Sequence, residues 1–422
     1  MAEEASAMDP IQIIRASNRM NLSALRSKDR EDLLKQRRVS LLEAESLVAD
    51  ISLPQFKELC LKLKNKKTTF DVLRAIKMSC FSPGRTEAFM KTENALNTLI
   101  RVLVGRDARM QLEAAACLTN LVCGSHKASH RIAKACGPYL VSFLGSGSPY
   151  LQDQCAWACG NMANCCFPCF TLLKAQGLVP ALLANIQSPV PDVIRSTMFA
   201  LNACTKYVDE DLRDLADDHT VNSLLKLLER EHIHPTAKSD AIFTLSNIIF
   251  SLSKNRVEIS DSTVETILIH LEKSALKDDF DIKLSLPLVR CLGFASTAKN
   301  TCLYIVQELK FKTVVSRILN SNCLHLFQEV ICVLTNIIGC CCDLSSDDVD
   351  LNAIFRNIHL NTSNHLLIVQ VLYFLCSWAS RNKNIRIVLL QKEYSSVIEE
   401  LLSCGEKTVE KAVQVILHII TS

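Results

Sequence analysis

At 422 residues the chain exceeds one ordinary hydrophobic core, yet no Pro/Gly/Ser-rich linker divides it, as a continuous solenoid requires. Only 11 Gly and 11 Pro accompany 49% hydrophobic residues, a breaker content that favours an all-helical protein. The net charge of +3 excludes the broad basic surface of a nucleic-acid binder. The 20 cysteines lie at irregular spacing inside apolar stretches, behind a start (MAEEASAMDP) without a signal-peptide pattern, which suits a reducing compartment.

Taken in order, residues 1 to 14 carry no strong signal. Arg15, Arg19, Arg26, Lys28, Arg30, Lys35, Arg37 and Arg38 then face only Asp29, Glu31 and Asp32, so this segment, within a flexible tail over residues 1–45, is basic by about five charges while everything outside it sums to about −2. Such a segment reads either as a solvated amphipathic helix or as a peptide that docks on an acidic partner. Residues 46–422 form the second domain. Leu47 to Lys64 and Thr69 to Phe81 read as amphipathic helices that open it, ended by Ser82-Pro83-Gly84. Gly-containing turns at Ala135 to Pro138 and at Gln176 to Pro180 each break the chain before an apolar helix (Tyr139 to Leu144; Ala181 to Ile186). Ser146 to Pro149 and Gln187 to Asp192 form a second loop in each unit, followed by a long inner helix. Asp209 to Asp218 and Asp343 to Asp350 are acidic interruptions. The apolar runs Val330 to Cys342 and Leu366 to Ala379 fall short of the roughly 20 residues of a membrane span. They read as buried inner helices, and membrane insertion is not expected. Glu410 to Ile420 reaches the last residues without a polar cap, as in a helix that closes the stack itself or a shortened form.

The clearest single stretch is Leu151 to Cys166, LQDQCAWACGNMANCC, which places Trp157 and Asn161 on one helical face and an apolar stripe on another. The Asn161 register recurs at Asn120, Asn161, Ala203, Asn247, Phe294, Asn336 and Ser377, with successive spacings of 41, 42, 44, 47, 42 and 41. Fainter copies lie near Met78 and Leu417. A helical period near 42 marks an all-α armadillo/HEAT-type right-handed superhelical solenoid of about eight repeats.

The segments LEAAACLTNLVCG (Leu112 to Gly124), LQDQCAWACGNMA (Leu151 to Ala163), SDAIFTLSNI (Ser239 to Ile248), LPLVRCLG (Leu286 to Gly293) and QEVICVLTNI (Gln328 to Ile337) resemble the importin-alpha family of armadillo nuclear-import adaptors. Leu25 to Ser40 is similar to the second half of that family's importin-beta-binding domain. GLVPALLANIQSP (Gly177 to Pro189) and LVRCL (Leu288 to Leu292) look closer still to the transmembrane and coiled-coil domain-containing protein 6 family. The resemblance implies an extended peptide in a concave groove, held by inner-helix asparagines whose amides pair with its backbone, with lysine stems lying on aromatic rings one turn earlier. On this chain it assigns the groove to Asn120, Trp157, Asn161, Phe199, Phe243, Asn247 and Asn336, with Asp240 and Glu329 to meet basic side chains and Arg290 between two peptide sites. It assigns an importin-beta-type carrier to the tail residues Arg26, Lys28, Arg30, Lys35, Arg37 and Arg38, and a place in cytoplasm and nucleus. Without a carrier, Lys35 to Arg38 is expected to fold back into the groove.

Departures weaken the assignment. The aromatic register reads Ala116, Trp157, Phe199, Phe243, Cys332 and Tyr373, Cys165 stands where an acidic residue is expected, and each lost ring costs about 0.5 to 2 kcal/mol of lysine binding. A diverged armadillo scaffold unrelated to import signals is therefore the alternative.

Each inner-helix asparagine can instead satisfy backbone groups within the stack. Cys166 and Cys169 have CxxC spacing, but the pair reads as part of a helix with no second pair, so no metal is expected. No GxxxxGK[ST], GxSxG, HExxH or dinucleotide fingerprint occurs, so neither an enzyme nor a cofactor is expected.

Overall fold

A computed structural model describes residues 51–64, 68–80, 84–207, 215–275, 280–340 and 344–422. The basic tail lies outside the described residues, as do 209–214 of the first acidic interruption and Asp343 of the second. All regular structure among the described residues is helical, and the described chain divides into two compact units, one ending at Ser251 and the other starting at Leu252.

The first unit holds α1 (Leu53–Lys64), α2 (Phe70–Ser79), α3 (Arg85–Lys91), α4 (Ala95–Leu103), α5 (Ala108–Leu121), α6 (His126–Phe143), α7 (Pro149–Cys165), α8 (Phe167–Ala175), α9 (Leu178–Asn185), α10 (Pro191–Cys204), α11 (Asp218–Leu228) and most of α12 (Pro235–Lys254). The second holds α13 (Asp261–Ala275), α14 (Ile282–Ala295), α15 (Lys299–Gln307), α16 (Leu309–Leu319), α17 (Leu324–Cys340), α18 (Leu351–Leu360), α19 (His365–Arg381), α20 (Lys383–Leu389), α21 (Lys392–Glu400) and α22 (Lys407–Thr421). The sequence α8, α9, α10 shows the repeat in full: short helix, second helix, long inner helix. Inner helices stack on one another, α2 on α5, α5 on α7 and α7 on α10 in the first unit, and α14, α17, α19 and α22 likewise in the second. The architecture is an all-α armadillo-type solenoid.

Local chemistry explains the boundaries. Asp107, Ser125, Asp217 and Asp350 cap the starts of α5, α6, α11 and α18 by accepting backbone N–H bonds that the first turn of a helix leaves unmade. Pro149 and Pro191 open α7 and α10, where a missing N–H costs nothing. Gly177 turns the chain between α8 and α9 at φ +87°, a conformation that suits a residue without Cβ.

The other expected glycine turn does not form. Helix α6 runs unbroken through Gly137 and Pro138, because Gly137 answers a packing demand. A Cβ there would meet the flexible Gln176 amide just past α8 and lie 3.0 Å from Leu173 Cδ2 within it, so the glycine eases the approach of α8. Pro138 removes one helical bond without ending the helix.

The two tryptophans separate by role. Trp378 is 1% exposed, donates its indole N–H to the Leu344 carbonyl at 3.2 Å, and lies against Phe374. Trp157 is half-buried. Both apolar runs are inner helices, α17 and α19, and no single helix among the described residues is long and apolar enough to cross a membrane.

One glycine fixes the spacing of neighbouring inner helices. A Cβ on Gly160 of α7 would meet the Phe199 ring at 2.6 Å and the Ala200 Cα at 3.0 Å. Gly160→Ala is expected to cost about 1 to 3 kcal/mol by overpacking, read as a lower urea midpoint with an unchanged slope.

Candidate functional site

The end of every inner helix leaves its last carbonyls without helical partners. In this chain the next repeat supplies them. Asn120 Nδ2 donates to the Lys77 carbonyl at 2.9 Å, Asn161 Nδ2 to the Thr119 carbonyl at 3.4 Å, and Asn336 Nδ2 to the Gly293 carbonyl at 2.8 Å. The acceptors lie in the last turns of α2, α5 and α14. Asn247 Nδ2 reaches the Thr205 hydroxyl, just beyond α10, at 3.0 Å. Other side chains do the same work: Tyr207 Oη to Ala163 O at 3.0 Å, Lys206 Nζ to Asn164 O at 3.3 Å, and Arg381 Nη1 to the Ile338 and Gly339 carbonyls. The recurrence of asparagine near every forty-second residue thus has a cause within the stack, and Asn161 itself is 2% exposed. Each bond uses one amide hydrogen and leaves the other hydrogen-bonding positions of an amide uncommitted by it.

A second polar register runs seven residues earlier on the inner helices. Glu113 pairs with Lys77 across 3.0 Å, Gln154 donates to the Thr119 hydroxyl at 2.6 Å, Ser196 donates to Asp153, and Asp240 accepts from Asn202. In the second unit Glu329 takes Arg290 Nε at 2.8 Å, and Gln370 donates to the Gln328 carbonyl at 2.7 Å. Sequence reasoning assigned Asp240 and Glu329 to a bound peptide and Arg290 to a gap between peptide sites. The structure joins Glu329 to Arg290, their side chains 5% and 10% exposed, and gives Asp240 a partner on α10. It also adds Lys77, Glu113, Asp153, Ser196 and Gln370, which the sequence reading missed. Their offsets of 36 to 43 residues were the available signal.

Between these registers lie the aromatic positions. Trp157 of α7 and Phe199 of α10 are half-buried, Phe243 of α12 is 6% exposed, Cys332 of α17 is 2% exposed and Tyr373 of α19 is 45% exposed. Asn120, Trp157, Asn161, Phe199, Asp240, Phe243 and Asn247 all belong to the first unit, and Arg290, Glu329 and Asn336 to the second.

No disulfide joins the described cysteines. Burial pushes the Cys136 and Cys204 thiols up to about 12. Cys165 moves the other way, down to about 5, because Cys169, Ser129 and His126 offer it hydrogen bonds that outweigh its partial burial. His126, Cys165 and Cys166 are the one group of metal-ligand types that converges among the described residues.

No family model matches the chain. Importin subunit alpha-9 of Arabidopsis thaliana is 26% identical over 275 residues, covering 63% of this chain and 51% of that protein, so the chain spans about half the length of this curated relative. Among solved structures, an engineered protein from the Northeast Structural Genomics Consortium superposes with a TM-score of 0.71 at 19% identity, over 86% of this chain and 89% of that one, which supports the fold. A computationally designed armadillo repeat protein for modular peptide recognition matches 57% of this chain and 99% of its own at 16% identity, with a TM-score of 0.48.

Two substitutions separate the polar registers. Asn336→Ala removes one carbonyl cap and is expected to cost about 1 kcal/mol. Glu329→Ala strands Arg290 in a nearly dry site and is expected to cost about 3 to 5 kcal/mol, with much of the loss recovered in an Arg290→Met, Glu329→Leu double variant. Equilibrium denaturation of the three chains reads the difference directly.

Proposed function

We propose that the chain is a non-enzymatic protein-binding adaptor of importin-alpha type, taking an extended, lysine-bearing peptide along the inner-helix face of its first unit. The observation that carries this is Trp157: a half-buried ring one helical turn before Asn161, with Asn120 and Phe199 at matching registers on the helices to either side. A ring so placed gives a lysine stem apolar cover and its ammonium a cation–π partner. The remaining hydrogen-bonding positions of Asn120 and Asn247 suit the C=O and N–H of an extended backbone, whereas Asn161, 2% exposed, is held within the stack.

In this reading the tail residues Arg26, Lys28, Arg30, Lys35, Arg37 and Arg38 engage an importin-beta-type carrier, and the protein works in cytoplasm and nucleus. The name of the Arabidopsis relative, an importin alpha subunit, supports transport. Gly177 to Pro189 and Leu288 to Leu292 carry the narrower likeness to the transmembrane and coiled-coil domain-containing protein 6 family. The alternative, a diverged scaffold indifferent to import signals, draws support from the second unit, where Glu329 is held by Arg290 and Cys332 replaces an aromatic ring in the core.

Calorimetry of the full chain with a lysine-rich extended peptide tests the groove. Trp157→Ala is expected to weaken binding by about 3- to 30-fold, with circular dichroism confirming that the helices remain. Equal affinity in the two chains overturns the assignment. Titrating residues 10–45 into an importin-beta-type carrier tests the tail. Submicromolar binding lost on changing Lys35, Arg37 and Arg38 to Ala supports transport, and no binding leaves the scaffold reading.

A further inference from the structure

We propose that His126, Cys165, Cys166 and Cys169 form a zinc site at the junction where α7 gives way to α8. The site begins one helical turn beyond Asn161, at the end of α7, and does not rest on peptide binding.

Two separate stretches of chain build it. Helix α7 ends at Cys165. Cys166 is fully extended at φ −165°, ψ 157° and caps the start of α8, and Cys169 sits in that helix's first turn. In sequence the Cys166/Cys169 pair reads as part of one helix; in the fold it spans a break, the setting metal ligands favour. His126, the first residue of α6, arrives from 39 residues upstream and places Nδ1 3.0 Å from Cys165 Sγ. Cys166 Sγ lies 3.3 Å from Cys169 Sγ, and ligand atoms of His126, Cys165 and Cys166 all fall within 4.8 Å of one another.

A tetrahedral zinc ion with bonds of about 2.3 Å to sulfur and about 2.05 Å to nitrogen has ligand-to-ligand edges of about 3.8 and 3.5 Å. The His126–Cys165 and Cys166–Cys169 pairs need to open by about half an ångström to receive it, and Cys169, outside the trio whose ligand atoms already converge, has to shift toward that trio to complete the tetrahedron. Three thiolates and an imidazole are the ligand set of structural zinc, and their softness disfavours magnesium or calcium. His126 is the first residue of α6, and Cys166 and Cys169 lie at the N-cap and in the first turn of α8, positions where a helix end favours negative charge.

The surroundings also suit an ion. Cys169 is fully buried, Cys165 and Cys166 are half-buried, and His126 is exposed, so one side is dry and the other open to entry. Phe167, Phe170 and Tyr207 form an aromatic cluster beside the site, with ring centroids 5.3 to 6.3 Å apart, of which Phe170 is buried and Phe167 is 38% exposed. Binding would tie the start of α6 to the α7–α8 junction. It exchanges thiol protons for the metal, with no change of oxidation state.

The test is cobalt and zinc titration of the full chain, reduced and stripped with chelator. The wild-type protein is expected to take up one equivalent of cobalt with the thiolate charge-transfer and strong visible bands of tetrahedral coordination, and zinc is expected to bleach them. Cys165→Ser and Cys166→Ser are expected to weaken binding at least about tenfold, His126→Cys to retain it, and Cys323→Ser and Cys404→Ser to match wild type. Circular dichroism of each variant confirms that the helices remain, and the thermal midpoint of the wild type, unlike that of Cys166→Ser, is expected to rise with zinc. Absence of the tetrahedral spectrum, or equal uptake by wild type and Cys166→Ser, overturns the proposal. So does a Cys166–Cys169 disulfide in the native protein whose reduction yields no metal binding.

Discussion

An α-helix that stops against another helix leaves carbonyl groups with nowhere to bond, and a solenoid repeats that problem at every inner helix. This chain solves it at several junctions by having one repeat finish the one before. Asn120, Asn161, Tyr207, Asn336 and Arg381 each carry a donor back by 42 to 44 residues to a last-turn carbonyl. Apolar burial alone permits neighbouring helices to slide along each other; a directional bond at a fixed offset does not. The caps therefore set the register in which all other side chains of the inner face meet.

That register decides which polar residues remain for a ligand. Glu329 and Arg290 neutralise one another in a nearly dry contact, and Lys77 and Glu113 do so in the first unit. Such pairs add specificity of packing more than stability, since desolvation offsets most of their attraction. What remains on the inner face of the first unit is aromatic surface and amide capacity. Phe199 and Trp157 are both half-buried, but Phe199 is packed against Gly160 and lacks the larger indole face, which is why the functional reading turns on Trp157.

Cysteine serves two ends in one chain. Cys117, Cys155, Cys159 and Cys204 are fully buried, small enough for tightly stacked helices, and their surroundings push the thiols up, which keeps them protonated and inert. At the α7–α8 junction the helix ends are open, the environment is mixed, and the same residue type gathers around an imidazole. The difference lies in backbone geometry, because only a break in the helix lets adjacent cysteines turn toward one point.

Periodicity by itself determined the class of fold. Inner helices spaced near 42 residues, sparse glycine and proline, and prolines at the first helical positions of α7 and α10 are local properties, and local chemistry reproduces them. The sequence also placed Asn120, Asn161, Asn247 and Asn336 on one register. Only the tertiary structure decided what that register bonds to, since the acceptors are carbonyls of a preceding helix and carry no sequence signature. For the same reason Gly137 read as a turn until the end of α8 was seen to rest on it, and Cys166 read as helical until the chain bent there. His126 and Cys165, 39 residues apart, are about one repeat from each other but share no motif. Folding alone brings them together.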